Sequence, residues 1–362
     1  MTVIFFVSNL NSGGIENYLL RFLKYQNKIE PIVVLRSGAT GVLESKYRNL
    51  NVNIIPLFIS YYNPIHLIKV LKLYHKYKPE AVCDFSGGFS LIPIFASYIF
   101  CIKKRIIFIR NSHNNNKKYL SLIISKLFLF ITSFFSSSIL SNSYQGLEFH
   151  YKYFNIFKRK QKVIFNGFEL SNYSISIEEK NYYRNLYAIP NNCIVIGNVG
   201  RVHPLKNHSL IINLAKSLKS YPIYFCLVGE GIVKEFSEIV SSQNLKIILI
   251  NYTPDVNKLY SFFDIFLFPS ISEGQPNALI EAIASGLPIL ASDIPSIREV
   301  VNKEFYTNLF ILNKSTHDNY FKVITKILEN KDLLSQYKCS TDVLNRFDHR
   351  KNFEQFLTEL QK

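Results

Sequence analysis

Glu273 and Glu281 stand eight residues apart in a segment, 271–295 (ISEGQPNALIEAIASGLPILASDIP), whose residue types can seat and activate an anion. Ser272-Glu273-Gly274-Gln275-Pro276 reads as a polar loop, and Pro276 suits the first turn of a helix, where a missing N–H does no harm. Residues 277–285 then read as a short helix that stops at Gly286, with Pro288 just beyond. Residues 288–291 follow as a buried strand. One carboxylate therefore lies in the loop before a helix and the other within its second turn. Between them, the backbone N–H groups of Asn277, Ala278 and Leu279 form an anion seat at a helix N-terminus. A ligand with hydroxyls at both ends and phosphate in the middle, a nucleotide sugar, matches that arrangement.

Other constellations add to it. Gly200-Arg201-Val202-His203-Pro204-Leu205-Lys206 leaves a strand that ends at Val199, and Arg201 with Lys206 can clamp a diphosphate, one by paired hydrogen bonds and the other as a point charge. Lone cations on loops are common, so this pair gains weight only from sharing a domain with Glu273 and Glu281. Gly13 and Gly14 follow the first strand and open the first helix, where a backbone without side chains can approach a phosphate; a plain tight turn reads equally well. His113, in the loop Arg110–Asn116, can touch a sugar hydroxyl or a developing positive centre, or simply sit in solvent. Gly229, in Gly229-Glu230-Gly231, is a wall for a nucleotide base. No Asp-x-Asp, no His/Cys cluster with metal spacing, no Walker A and no G-x-S-x-G occurs. Charge neutralisation then falls to Arg201, Lys206 and helix dipoles, with no metal and no cofactor expected.

The elements that must position these residues alternate strand and helix. Apolar runs at 3–7, 31–35, 52–56, 81–84 and 105–110 are separated by helical patterns at 15–25 and 64–77. The rhythm returns at 193–199, 223–228, 246–249, 265–268 and 288–291. That βαβ order predicts an α/β chain of two Rossmann-like domains with parallel sheets facing a central cleft. The predicted boundaries are 1–168 for the first domain, 169–341 for the second, and 342–362 for a C-terminal helix returning to the first. Residues 168–190, polar and without period, read as an interdomain linker. Ligands of such sheets bind beyond the carboxyl ends of the strands.

Charge separates the halves. Residues 1–165 hold 22 Lys/Arg against 6 Asp/Glu, whereas residues 166–362 hold 20 of each. A one-sided basic field implies an anionic partner such as a membrane surface, a phosphorylated lipid or nucleic acid. Five scattered cysteines, none in a CxxC pair, fit a reducing compartment. The apolar stretch 119–140 contains Lys126 and ends in serines, so it reads as a helix in a membrane interface or as a buried helix, not a span. Lys103, Lys104, Arg105, Lys117 and Lys118 stand near it in sequence.

Taken together, these residues resemble the retaining glycosyltransferases of family 4, which have the GT-B fold. The likeness runs along nearly the whole chain: Gly13, Gly14 and Glu16; the His113 loop; Ile164–Gly167; Gly200, Arg201 and Lys206; Val228–Gly231; and the pair Glu273 and Glu281 within S-x-S-E-G-x-P-N-A-L-I-E-A. The RNSH segment is similar to enzymes of bacterial capsule and O-antigen assembly. Gln275 departs from the pattern, standing where the family has a bulky apolar residue.

The resemblance implies that Glu273 contacts the donor sugar and Glu281 the ribose. Arg201, Lys206 and the N–H groups at 277–279 would stabilise the leaving nucleoside diphosphate, whose phosphate takes the acceptor's proton. It implies a metal-independent hexosyl- or N-acetylhexosaminyltransferase using a UDP-sugar. With the charge split, the expected acceptor is an undecaprenyl-diphosphate-linked saccharide on an anionic membrane, reached by a cytoplasmic protein peripheral to the inner face. A soluble enzyme of the same fold with a small or glucan acceptor is the neighbouring alternative. A basic membrane- or nucleic-acid-binding protein without turnover is the alternative of another class, although no recognised nucleic-acid module interleaves the basic residues.

Overall fold

A computed structural model describes residues 1–11, 13–60, 63–110, 119–253, 255–301, 310–312, 316–336 and 341–361. The chain forms two compact units, one of residues 1–167 with 349–362, the other of residues 168–348.

Unit 1 is built on a parallel sheet of β1 (Thr2–Val7), β2 (Glu30–Leu35), β3 (Asn53–Pro56), β4 (Ala81–Asp84), β5 (Lys104–Ile109), β6 (Ser138–Ser141) and β7 (Gln161–Val163). Its order is β3-β2-β1-β4-β5-β6-β7. The central strands are apolar on both faces because helices cover both: Val3–Phe6 are wholly buried, alternate residues joining opposite core clusters. The first cluster is strongly aromatic. Phe5, Tyr18, Phe22, Phe85 and Phe108 meet Phe353 and Phe356 of the C-terminal helix His349–Gln361. That helix therefore completes the unit 1 core, and Lys162 and Glu359 pair beside it at 2.5 Å.

Unit 2 carries β8 (Ile194–Val199), β9 (Ile223–Val228), β10 (Ile247–Ile250), β11 (Ile265–Phe268), β12 (Ile289–Ser292) and β13 (Phe310–Leu312), all parallel, in the order β10-β9-β8-β11-β12-β13. In each sheet the order reverses beside the first strand, between β1 and β4 and between β8 and β11. Helices leave such neighbours toward opposite faces and open a crevice at their carboxyl ends.

Two segments differ from the sequence reading. Residues 168–190 are part of the unit 2 body: they hold the helix Ile177–Leu186, whose Ser176 cap accepts from Glu179 N–H. Lys180 and Arg184 reach Asp264 at 2.9 and 2.6 Å, and Asp264 also accepts from the Val195 amide at 2.8 Å. Periodicity fails there because this polar helix is fastened by ion pairs as well as by an apolar face. The returning tail begins at His349 and not at 342. Residues 341–347 form a 3₁₀ segment that stays in unit 2, where Phe347 is buried and Arg346 bonds the Val300 carbonyl.

The long apolar helix spans Tyr119–Phe135. Arg105 donates to the Phe135 carbonyl at 2.6 Å, and the Lys160 ammonium reaches the carbonyls of Ser133, Phe134 and Ser136, so two cations satisfy the negative end of that helix. Arg105 is thus spent inside the fold. Among the described residues no helix is long and apolar enough to cross a membrane.

Candidate active site

The reversal point of the unit 2 sheet brings two strand exits together. Val199 ends β8 and Phe268 ends β11, and the two strands are hydrogen-bonded neighbours. Beyond β8 the chain makes a 3₁₀ turn, Pro204–Lys206, fastened at its start by the His203 ring, whose Nδ1 accepts from the Leu205 amide at 3.2 Å. Asn207 then adopts a left-handed conformation, which aims the following helix, His208–Ser217, back along the sheet. Beyond β11, the Ile271 amide donates to the Leu205 carbonyl at 2.8 Å and locks the two exits to each other.

That lock sets the central contact of the site. Lys206 Nζ lies 2.7 Å from Glu273 Oε1, with the two side chains 23% and 11% exposed. The ammonium also stands 5.4 Å from the Phe268 ring centroid. A cation and a carboxylate are held together at the mouth of a crevice, part-buried and reachable. Arg201, on the same exit loop, is exposed and bonds no other described residue. Gly229 stands at the neighbouring β9 exit, where a Cβ would collide with the Gly200 carbonyl. The Gly200 and Val202 amides bond the Val228 and Glu230 carbonyls at 2.8 and 3.0 Å, so glycine at 229 lets the two exit loops lie side by side.

Glu281 lies on the helix Asn277–Ala284, as the spacing implied. Its Oε2 accepts the Tyr260 hydroxyl at 2.9 Å. Tyr260 is fully buried, and burial, with Glu281 next, raises its pKa well above the ordinary value. Its hydroxyl keeps its proton and donates, which orients the carboxylate as an acceptor. Tyr173, in the segment read as a linker, packs its ring 6.2 Å from that of Tyr260. Pro276 caps the helix, and its carbonyl takes the Leu279 amide at 3.1 Å, so Leu279 drops out of the expected seat. Gly274 lies in the loop between, half-buried, and Gln275 beside it is buried.

His208 was not singled out from the sequence. It is 3% exposed at the start of its helix, bonded to the Gly200 backbone and packed 5.7 Å from the Phe236 ring. Burial, then the nearby Lys206 charge, lowers its pKa to about 4. A lone histidine in a basic loop gives no signal of this, because only the folded chain buries it.

Gly13 and Gly14 stand at the β1 exit of unit 1. A Cβ at Gly13 would strike the Glu16 carboxylate, whereas one at Gly14 would meet open space, so Gly14 is the accessible member. His113 lies outside the described residues. Among those described, no three His, Cys, Asp or Glu side chains come together as a metal site.

The family model described as Glycosyl transferases group 1 matches residues 179–341. The chain is 26% identical over 198 residues to the UDP-Gal:alpha-D-GlcNAc-diphosphoundecaprenol alpha-1,3-galactosyltransferase of Escherichia coli, a match covering 52% of this chain and 51% of that one. Such matches span about half the length, or less, of the first relatives compared. It is 28% identical over 350 residues, 92% of both chains, to the capsular polysaccharide biosynthesis glycosyltransferase CapH of Staphylococcus aureus. Among solved structures, Anabaena Alr3699/HepE in complex with UDP and glucose superposes with a TM-score of 0.82 at 18% identity, covering all of this chain and 99% of that one.

Proposed function

We propose that this chain, whose residues 179–341 match the glycosyl transferases group 1 family model and which has the GT-B fold, moves a sugar from a UDP-linked donor to a lipid-linked saccharide in surface polysaccharide assembly. The observation that carries this reading is the Lys206–Glu273 contact at the sheet's reversal point, where parallel α/β sheets take their ligands. Fold alone would not carry it, since one fold hosts many activities.

In this reading the diphosphate lies on the cationic side of the crevice. Lys206 and Arg201 stabilise the negative charge that grows on the leaving group, and the amides of Asn277 and Ala278 add preorganised dipoles. Glu273, held by Lys206, accepts hydroxyls of the donor sugar and fixes it for attack on the face the diphosphate leaves. Glu281, oriented by Tyr260, accepts the ribose hydroxyls. The leaving phosphate takes the acceptor's proton, the donor configuration is retained and no metal is needed. Arg201, bonded to no other described residue, can swing to the phosphate.

The acceptor side rests on unit 1. With residues 349–362, which add Arg350, Lys351 and Lys362 against Glu354 and Glu359, unit 1 carries a net charge of +17 and leaves unit 2 at −1. On the helix Tyr119–Phe135, Ile123, Leu127 and Phe134 are 48, 56 and 63% exposed, spaced to share one face with Lys126. Lys126 lies 5.6 Å from the ring of Tyr153, itself 77% exposed, near exposed Lys152, Ile156, Lys158 and Arg159. Apolar and aromatic side chains ringed by cations suit an anionic bilayer. This supports a diphospho-lipid acceptor of the kind named for the Escherichia coli relative, and a peripheral place on the inner face of the membrane.

A panel of UDP- and GDP-sugars tests the reading. A UDP-sugar is expected to raise the melting temperature and to be slowly hydrolysed; a protein that no nucleotide sugar stabilises is not this enzyme.

A further inference from the structure

At the carboxyl end of β5, Arg110 presents a guanidinium that the protein leaves poorly bonded. Its carbon stacks 3.9 Å from the Tyr18 ring centroid and 5.1 Å from that of Phe108. Nη2 reaches the Gly14 carbonyl at 3.5 Å, the outer limit of a hydrogen bond, and Nη1 is buried with no hydrogen-bond partner among the described residues. A guanidinium has five N–H donors in a rigid fork, and native proteins rarely leave buried donors unpaired. A ligand oxyanion at this fork would give Nη1 a partner while the Tyr18 and Phe108 rings hold the guanidinium in place.

The surroundings favour an anion. Arg21 adds a second positive charge to the field at Arg110, and Glu16 is the one carboxylate acting on it. Burial lowers the Arg110 pKa to about 10, so the group remains cationic at neutral pH. The place is also suited: β5 lies one strand beyond the β1–β4 reversal of the unit 1 sheet, and Gly14, which Arg110 touches, opens the helix after β1 with no described side chain in the way. Arginine forks match phosphate oxygens in pairs.

We infer that Arg110 is a phosphate-binding residue of this protein, taking an oxyanion of a substrate diphosphate beside Gly14 in unit 1. The identification of that anion as a substrate diphosphate rests on the proposed glycosyl transfer; the anion seat itself does not.

The test uses the full chain and inorganic pyrophosphate. In an Arg201→Ala/Lys206→Ala background, which removes the unit 2 cations, isothermal titration is expected to show remaining pyrophosphate binding. Adding Arg110→Gln should weaken it about tenfold or more, the scale of a charge-assisted bond. No binding in the background, or equal affinity after Arg110→Gln, overturns the inference. Should that variant not fold, Arg110→Lys replaces it, with a threefold or larger loss expected because a point charge cannot pair as a fork does; unchanged affinity again overturns the inference. Kinetics of the Arg110 variant then separate the source, a raised KM for the UDP-sugar marking the donor diphosphate and a raised KM for the lipid-linked acceptor marking the acceptor's. UDP- and GDP-sugars titrated into the wild-type chain check the proposed function separately, and failure of all of them with pyrophosphate binding intact would remove glycosyl transfer but leave the Arg110 site.

Discussion

Lys206 and Glu273 reach each other from the exits of two adjacent strands, β8 and β11, at a separation of 2.7 Å. Neither strand places its residue alone. The contact exists because the Ile271 amide fastens one exit to the Leu205 carbonyl of the other. Lys206→Ala removes the charge expected to meet the leaving diphosphate and leaves Glu273 without this ion-pair partner. We expect kcat to fall by about two to three orders of magnitude, the effect of losing one preorganised charge stabiliser, and the UDP dissociation constant to rise. Steady-state kinetics with titration calorimetry checks both.

Glu281 and Tyr260 form the second end of the site. Glu281→Ala should weaken UDP binding about tenfold or more, since a carboxylate accepting ribose hydroxyls makes charge-assisted bonds. Tyr260→Phe should give a smaller loss in the same direction, because it removes the donor that orients the carboxylate and keeps the carboxylate itself. A Tyr260→Phe variant with unaltered UDP affinity would show that the orientation does not matter.

Acid should loosen unit 2 through His208. Its pKa is about 4 folded and about 6.5 when free of the fold, so the unfolded chain binds the proton first. Stability from this group is therefore whole above about pH 6.5, declines as pH falls, and is fully lost below about pH 4. The span corresponds to about 3 kcal/mol. Urea unfolding of wild type and His208→Gln at pH 7 and pH 5 is the check, with the variant expected to lose the His208 share of the pH dependence.

Membrane attachment should depend on both chemistries of the exposed helix face. Leu127→Ser with Phe134→Ser is expected to reduce sedimentation with anionic liposomes several-fold at any salt. Lys126→Glu should act chiefly at low ionic strength, where about 1 kcal/mol per cation near the surface is available and little is screened. Wild-type protein that ignores anionic vesicles at low salt would end the peripheral-membrane reading.

Much of this molecule is legible in the chain because its central strands are short, mostly apolar and set off by glycine, proline and helical spacing. The runs at Val3–Val7, Ala81–Asp84, Ile223–Val228 and Ile265–Phe268 announce parallel strands buried on both faces, and the helix at Asn277 announces itself by the proline before it and Gly286 after it. What was hidden depends on contacts distant in sequence. Tyr260 acts on Glu281 from 21 residues away, through a hydroxyl that periodicity cannot see. Ile177–Leu186 looked like a linker because its fastening to Asp264 is ionic and 80 residues distant. Arg110 looked like the plain end of a strand, since only the folded sheet sets its fork beside Gly14 and over Tyr18.

The most direct test of the central claim follows the fate of the donor sugar. Proton NMR of wild-type protein with the best UDP-sugar of the panel should show released or transferred sugar whose first-formed anomer keeps the donor configuration. The Glu273→Gln variant, still binding UDP within about threefold because only part of the binding energy is lost, should form almost none. An inverted first anomer would contradict retention, and product formed by Glu273→Gln at the wild-type rate would remove the Lys206–Glu273 pair from the chemistry.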